Sequence, residues 1–292
     1  MSRNEDRLGG GSKNINPSST AATQAGSANA GSASSPSPLE FVRPTSLVSL
    51  PSGGKFYPEG HPLRGVSEIE VRHMTTAEED ILTSRVLLKK GTAIDKFLEK
   101  IIQAPVHPND LLLGDKSALI VQARIDGYGP EYTTQVACPA CQARLTHTFD
   151  LTDYQLVEGH SCEEIDDAAS TDRDTFIISL DNGWEVEVRA LNGHDEKRMT
   201  KAMNQRQKAG LPETGIQEQL RSMIVSISGH TDKGTINKAI QHMTGLQSRK
   251  IRETYSKIIP NIDLKQSVTC HECLSTSEME VPLTSDFFWP KS

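Results

Sequence analysis

Four of the chain's five cysteines fall in two pairs, Cys138 with Cys141 in CPAC and Cys270 with Cys273 in CHEC, and 128 residues separate the pairs. A two-residue gap lets both thiolates of one tight turn reach a single ion at about 2.3 Å, and two such turns complete a tetrahedron. The pattern predicts one structural zinc site built from Cys138, Cys141, Cys270 and Cys273. The separation exceeds ordinary zinc-ribbon spacing, so a shared site has to bring distant parts of the chain together. Two alternatives stay open: a redox or disulfide pair, and thiols that are unpaired or liganded differently. A redox CxxC calls for a thioredoxin-like βαβ neighbourhood, which neither pair has. Cys162, in GHSCEE, could with His160 rival the second pair as a ligand set, although a loop thiol without a metal role is the simpler reading. Four thiolates leave no open coordination position, so such a site staples a fold and does not activate water.

Superposing the two pairs aligns more than cysteines. QVACPACQARLTHTFDLT (135–152) sits on SVTCHECLSTSEMEVPLT (267–284), and upstream EIEVRHM (68–74) matches EVEVRAL (185–191). These matches predict an internal duplication. Apolar stripes at helical spacing run through Ile94, Phe97, Leu98, Ile101 and Ile102, and through Ile216, Leu220, Met223, Ile224 and Ile227. Helices are also expected at about 76–90, at about 195–209, and along Ile251 to Ile259, where Pro260 stops the last. Strands are expected on both sides of each cysteine pair, at 132–136, 145–149, 262–268 and 279–281, which puts each pair at a hairpin tip. The fold class predicted is α+β: internally duplicated, mostly helical repeat units joined by a small zinc-ribbon-like β element.

Ser, Ala, Gly and Pro make up 23 of the first 40 residues, with almost nothing large and apolar to bury. Residues 1–44 therefore read as a disordered arm. The first unit then spans 45–152, an acidic linker 153–174, and the second unit 175–292. Residues 150–174 hold nine carboxylates against the single base Arg173, which suits a solvated linker or a docking surface for a basic partner. SDFFWPKS at the C-terminus concentrates Phe287, Phe288 and Trp289, three of only fourteen aromatic residues. They must either dock on the chain itself or anchor a partner; partner binding is the role assigned to them here.

Catalytic motifs are missing. LPSGGKFYPEG (50–60) invites a phosphate-loop reading, but Ser49 stands at the first glycine position and Phe56 where magnesium needs Ser or Thr. The segment reads instead as turns that pack Phe56 and Tyr57 onto the first unit. Nine histidines are scattered without HExxH or paired helical spacing, so no enzyme is expected. A net charge of −7 argues against a surface that tracks nucleic-acid phosphates. No run of 18 apolar residues exists to span a membrane.

The succession LPSGGKFYPEG, IEVRHMTTAEEDILTSR, LLKKGTAIDKFLEKII and LLLGDKSALIVQARIDGYGPEY, leading into CPAC, resembles the T4-family baseplate hub assembly chaperones of contractile-tailed bacteriophages. The likeness covers roughly residues 45–152. It implies a phage morphogenesis factor, acting in the infected bacterium's cytoplasm, whose partners are baseplate hub or tail proteins. A structural baseplate protein kept in the virion is the nearest alternative, and a zinc-ribbon nucleic-acid binder stands behind it. The metal expectation comes from this chain's own spacing.

Overall fold

The computed structural model describes residues 43–158, 168–171, 174–212, 214–282 and 287–288. The sequence-predicted N-terminal arm lies outside them up to residue 42, as do residues 159–167 and 172–173 of the acidic segment, including His160 and Cys162, and Trp289.

The first strands form by alternation. In β1 (Thr45–Ser49) and β2 (Glu68–Arg72), which pair antiparallel, Val48, Ile69 and Val71 turn inward while Glu68 and Glu70 stay exposed. Two turns of GGKFYPEG lie between them. Gly54 adopts φ +72°, and a Cβ there would lie 2.3 Å from the backbone nitrogen of Val66, so only glycine fits. Tyr57 is fully buried, and its hydroxyl donates to Asp115 at 2.7 Å.

Helices α1 (Thr76–Thr83) and α2 (Arg85–Lys90) occupy the stretch expected as one helix. Ser84, extended at ψ 107°, divides them; the Thr83 hydroxyl turns back to the carbonyls of Glu79 and Asp80, the local competition that makes Ser and Thr poor helix interiors. Gly91, in the left-handed region, ends α2. Helix α3 (Ala93–Ile101) buries Phe97, Leu98 and Ile101 completely. Behind it runs α4 (Leu113–Tyr128), which buries Asp115, Lys116 and Arg124 as well as Leu119 and Val121. A Cβ on Gly114 would meet the Pro260 carbonyl at 2.2 Å, so a glycine lets the start of α4 touch the strand that follows.

Two hairpins carry the cysteine pairs: β3 (Glu131–Ala137) with β4 (Arg144–Asp150), and β11 (Lys265–Thr269) with β12 (Thr276–Glu280). Strand β5 (Gln155–Val157) pairs with β10 (Asn261–Asp263), joining chain segments about a hundred residues apart. The remaining sheet is four-stranded and antiparallel, in the order β6 (Ala168–Ser170), β7 (Thr175–Ser179), β8 (Glu185–Arg189) and β9 (Ile224–Ile227). Helices α5 (Gly193–Lys208), α6 (Gly215–Met223), α7 (Lys233–His242) and α8 (Gly245–Ile258) complete the chain order.

Mostly helical duplicate units joined by a zinc-ribbon-like element are not what forms. Among the described residues twelve strands in five antiparallel sheets accompany eight helices. EIEVR sits in a two-stranded sheet, whereas its sequence match EVEVR sits inside the four-stranded one, and the two cysteine hairpins remain separate sheets. Part of the error came from reading Ile224 and Ile227 as the end of a helical stripe. The helix stops at Met223, and the β-branched run Ile224, Val225 enters the sheet beside β8.

Packing gathers in two cores. One combines β1 to β4, α1, α3 and α4 with Ile262, Leu264, Val268 and Val281 from near the C-terminus. The other combines β7 to β9 with α6, α7 and α8, and Phe56 touches both.

The start of α1 also carries an acid-sensitive contact. Arg72 pairs with Glu78 at 2.8 Å, and the Thr75 hydroxyl and amide donate to the same carboxylate. Burial alone would raise the Glu78 pKa, but the hydrogen bonds from Arg72 and Thr75 hold it at about 2, below its ordinary 4.5. A carboxyl depressed in the folded state stabilises above its unfolded pKa, and that stability fades as pH falls toward the folded value. Glu78→Gln is expected to cost about 2 kcal/mol at pH 7, with the gap to the parent closing between pH 4.5 and about 2. Urea unfolding across that range checks this, and a gap independent of pH would refute it.

Candidate metal centre

The four cysteines reach one point because each hairpin ends in the same turn. The Cys138 amide donates to the Ala143 carbonyl and the Gln142 amide to the Cys138 carbonyl; the Cys270 amide donates to Ser275 and the Leu274 amide to Cys270. Gln142 and Leu274, four residues after the first cysteine of each pair, both take positive φ, at 63° and 57°. Each turn thus presents two sulfurs from one backbone shape. Cys138 and Cys270 are buried, while Cys141 and Cys273 face solvent.

Between hairpins, the Sγ atoms of Cys138 and Cys273 are 3.8 Å apart, those of Cys141 and Cys270 are 3.7 Å apart, and all four lie within 4.8 Å of one another. A tetrahedral ion with metal–sulfur bonds of about 2.3 Å requires sulfur–sulfur edges of about 3.8 Å. Disulfide bonding needs about 2.05 Å, so these four thiols are free. The donor set and its spacing therefore fit a tetrahedral metal. No other group of three or more His, Cys, Asp or Glu among the described residues meets the same test. Without a cation the sulfurs cannot share their charge: the Cys138 thiol is drawn down to about 7, chiefly by the Cys141 amide. Cys141 is pushed up to about 12 despite the Ala143 amide, because Cys273 and its other sulfur neighbours disfavour a second thiolate. A divalent ion removes that conflict.

A second brace holds the hairpins together at their base. The Gln266 side chain donates to the Asp150 carbonyl at 2.6 Å and accepts from the Asp150 amide at 3.2 Å. Gln266, half-buried in the fold, was not singled out by sequence, where a lone Gln on a short strand carries no signal.

The aromatic residues assigned to partner binding lie elsewhere. Phe287 and Phe288 are each 2% exposed. Phe287 packs edge-on to Tyr132 at 5.1 Å and Phe288 to Phe97 at 5.4 Å, so both serve the chain's own core. They dock on residues of the first half of the sequence; Trp289 lies outside the described residues. Fully buried Arg124 completes the dock, donating to the carbonyls of Phe287 at 2.8 Å, Gly129 at 2.8 Å and Glu131 at 3.1 Å. With no carboxylate among these partners, burial lowers its pKa. Neither Arg124 nor Lys116, whose ammonium is buried between Asp95 and Glu196, was recognised from sequence.

A family model described as T4 bacteriophage base plate protein matches residues 43–289, which takes in both hairpins and both cores. The chain belongs to that family. No curated protein matches this baseplate protein, and no solved structure does. Among the described residues of the baseplate protein no helix is long and apolar enough to cross a membrane.

Two outcomes are expected. Elemental analysis of the purified baseplate protein should find about one metal ion per chain, and Cys270→Ser should lower both metal content and melting temperature. Metal-free protein with undiminished stability would refute the site. Phe287→Ala should cost about 3–5 kcal/mol in urea unfolding, as for a buried phenylalanine in a closed core. An unchanged midpoint would show that the dock is not formed.

Proposed function

We propose that this protein is an assembly factor for the baseplate hub, binding hub or tail subunits in the infected cell's cytoplasm and performing no reaction of its own. The observation that carries the reading is the family match over residues 43–289, to which the sequence adds the motif order of the hub assembly chaperones. The ion is zinc. Four thiolates at tetrahedral spacing suit a filled-shell ion without geometric preference, and leave it no open position for substrate. Its role is to hold two hairpins together. The mechanism is reversible binding that covers apolar or strand-edge surface on a client until the proper neighbour displaces the factor.

The family's description as a base plate protein favours a second reading, in which the chain stays in the finished particle. Co-expression with the phage's hub and wedge subunits, followed by affinity capture, should return a complex with a hub subunit; capture of none would remove the assembly reading. Mass spectrometry of purified virions then separates the two, since an assembly factor should be absent or far below hub stoichiometry. Elemental analysis should identify zinc, and any other resident metal would overturn that assignment.

A further inference from the structure

Between α2 and α3 on one side and α5 on the other runs a groove of about 1010 Å³. Along its floor Ile94 from α3 and Leu113 and Ile120 from α4 are partly buried, beside the buried pair of Asp95 and Lys116. Its rims are cationic. Lys89 and Lys90 end α2, while Lys197, Lys201 and Lys208 follow one another along a single face of α5 over about 16 Å.

The two carboxylates in the groove are already engaged. Lys116 holds Asp95 at 2.9 Å and Glu196 at 2.7 Å, and Lys197 holds Asp95 at 2.8 Å. Lys89, Lys90, Lys201 and Lys208 make no ion pair among the described residues, and all four are exposed. In a chain of net charge −7, a concentrated positive groove is a local field opposite to the whole.

We propose that this groove is the docking surface for an acidic, amphipathic segment of a baseplate partner protein, about three helical turns long. Carboxylates of the segment meet the two lysine rims, and its apolar side chains lie on the floor. The baseplate origin of the segment rests on the proposed function, whereas its chemistry rests on the groove alone. Nucleic acid fits less well. The lining has no aromatic ring on which a base could stack and no arginine, the side chain best shaped for phosphate.

The test uses the full chain and a variant carrying Lys89→Glu, Lys90→Glu, Lys201→Glu and Lys208→Glu, with the four Lys→Gln changes as a second variant should the first fold poorly. The probe is a fluorescein-labelled 14-residue peptide with Glu and Leu at helical spacing. It should bind the parent, release with salt, and bind the charge-reversed variant at least about tenfold more weakly. A Lys-for-Glu peptide should recover binding to that variant. Equal binding of a Gln-for-Glu peptide would overturn the proposal, as would tighter binding of an oligothymidine of the same length. Displacement of the probe by a peptide of residues 150–174 at lower concentration than unlabelled probe would assign the groove to this chain's own acidic stretch and overturn a partner segment. Hub capture separates the two readings. If parent and variant capture hub subunits equally, the groove proposal fails and the assembly reading stands; if the parent captures none, the assembly reading fails, while the peptide result still decides the groove.

Discussion

Two cysteine turns that lie 128 residues apart in the chain meet within 4.8 Å, and that convergence decides how the last strands can be placed. Strands β11 and β12 form a two-stranded hairpin with no neighbour in its own sheet, and such a hairpin is marginal alone. Its stability has to come from what it touches. Val268 and Val281 enter the first core, Gln266 holds the Asp150 backbone, and the sulfurs supply the far end. An unfolded chain offers no preformed four-sulfur site, so the free energy of binding an ion there is folding free energy.

The same return of the chain explains the buried arginine. Removing a guanidinium from water is costly unless its donors are satisfied. Arg124 satisfies them with the carbonyls of Gly129 and Glu131, at the junction of α4 and β3, and with that of Phe287. Two carbonyls are therefore in place as soon as α4 and β3 form, and the third arrives only when the C-terminal segment docks. The aromatic contacts of Phe287 with Tyr132 and of Phe288 with Phe97 act in the same direction. Sulfur cluster, glutamine brace and arginine dock all attach late sequence to early sequence, which is why the first core contains residues from both ends of the described chain.

Local chemistry was legible in the sequence wherever one residue's neighbours decide its state. Strand patterning beside the first cysteine pair located β3 and β4, and the apolar stripe located α3. The CxxC spacing named four sulfurs that the fold brings to one place. Helix α4 escaped because it is buried on several faces: its apolar residues form no single stripe, and its buried Asp115, Lys116 and Arg124 look like surface residues in one dimension. Helix α7 was missed as well. The end of α6 misled for another reason, since helix-spaced isoleucines are also β-branched and sheet pairing beside β8 outweighed the spacing. Phe287 and Phe288 were assigned to a partner because sequence shows aromatic clustering, which self-docking and partner binding explain equally, but not the opening beside Tyr132 and Phe97 that accepts it.

Buried charge also shapes the surface around the groove. Lys116 sits at the edge of the first core with its ammonium fixed by Asp95 and Glu196, and those hydrogen bonds raise its pKa against the pull of burial. Asp95 belongs to α3, Lys116 to α4, and Glu196 and Lys197 to α5, so one ionic cluster sets the spacing of three helices. Lys201 and Lys208 are thereby carried on a helix fixed in position, whereas Lys89 and Lys90 end α2, which buries none of its residues. A segment that enters such a groove need order only itself and the lysine side chains, because the floor and the helix spacing are set beforehand, and preorganisation of this kind lowers the entropy lost on association. The internal pairs neutralise the base of the groove and leave the open charge at its edges, where long flexible side chains can follow carboxylates of varied spacing.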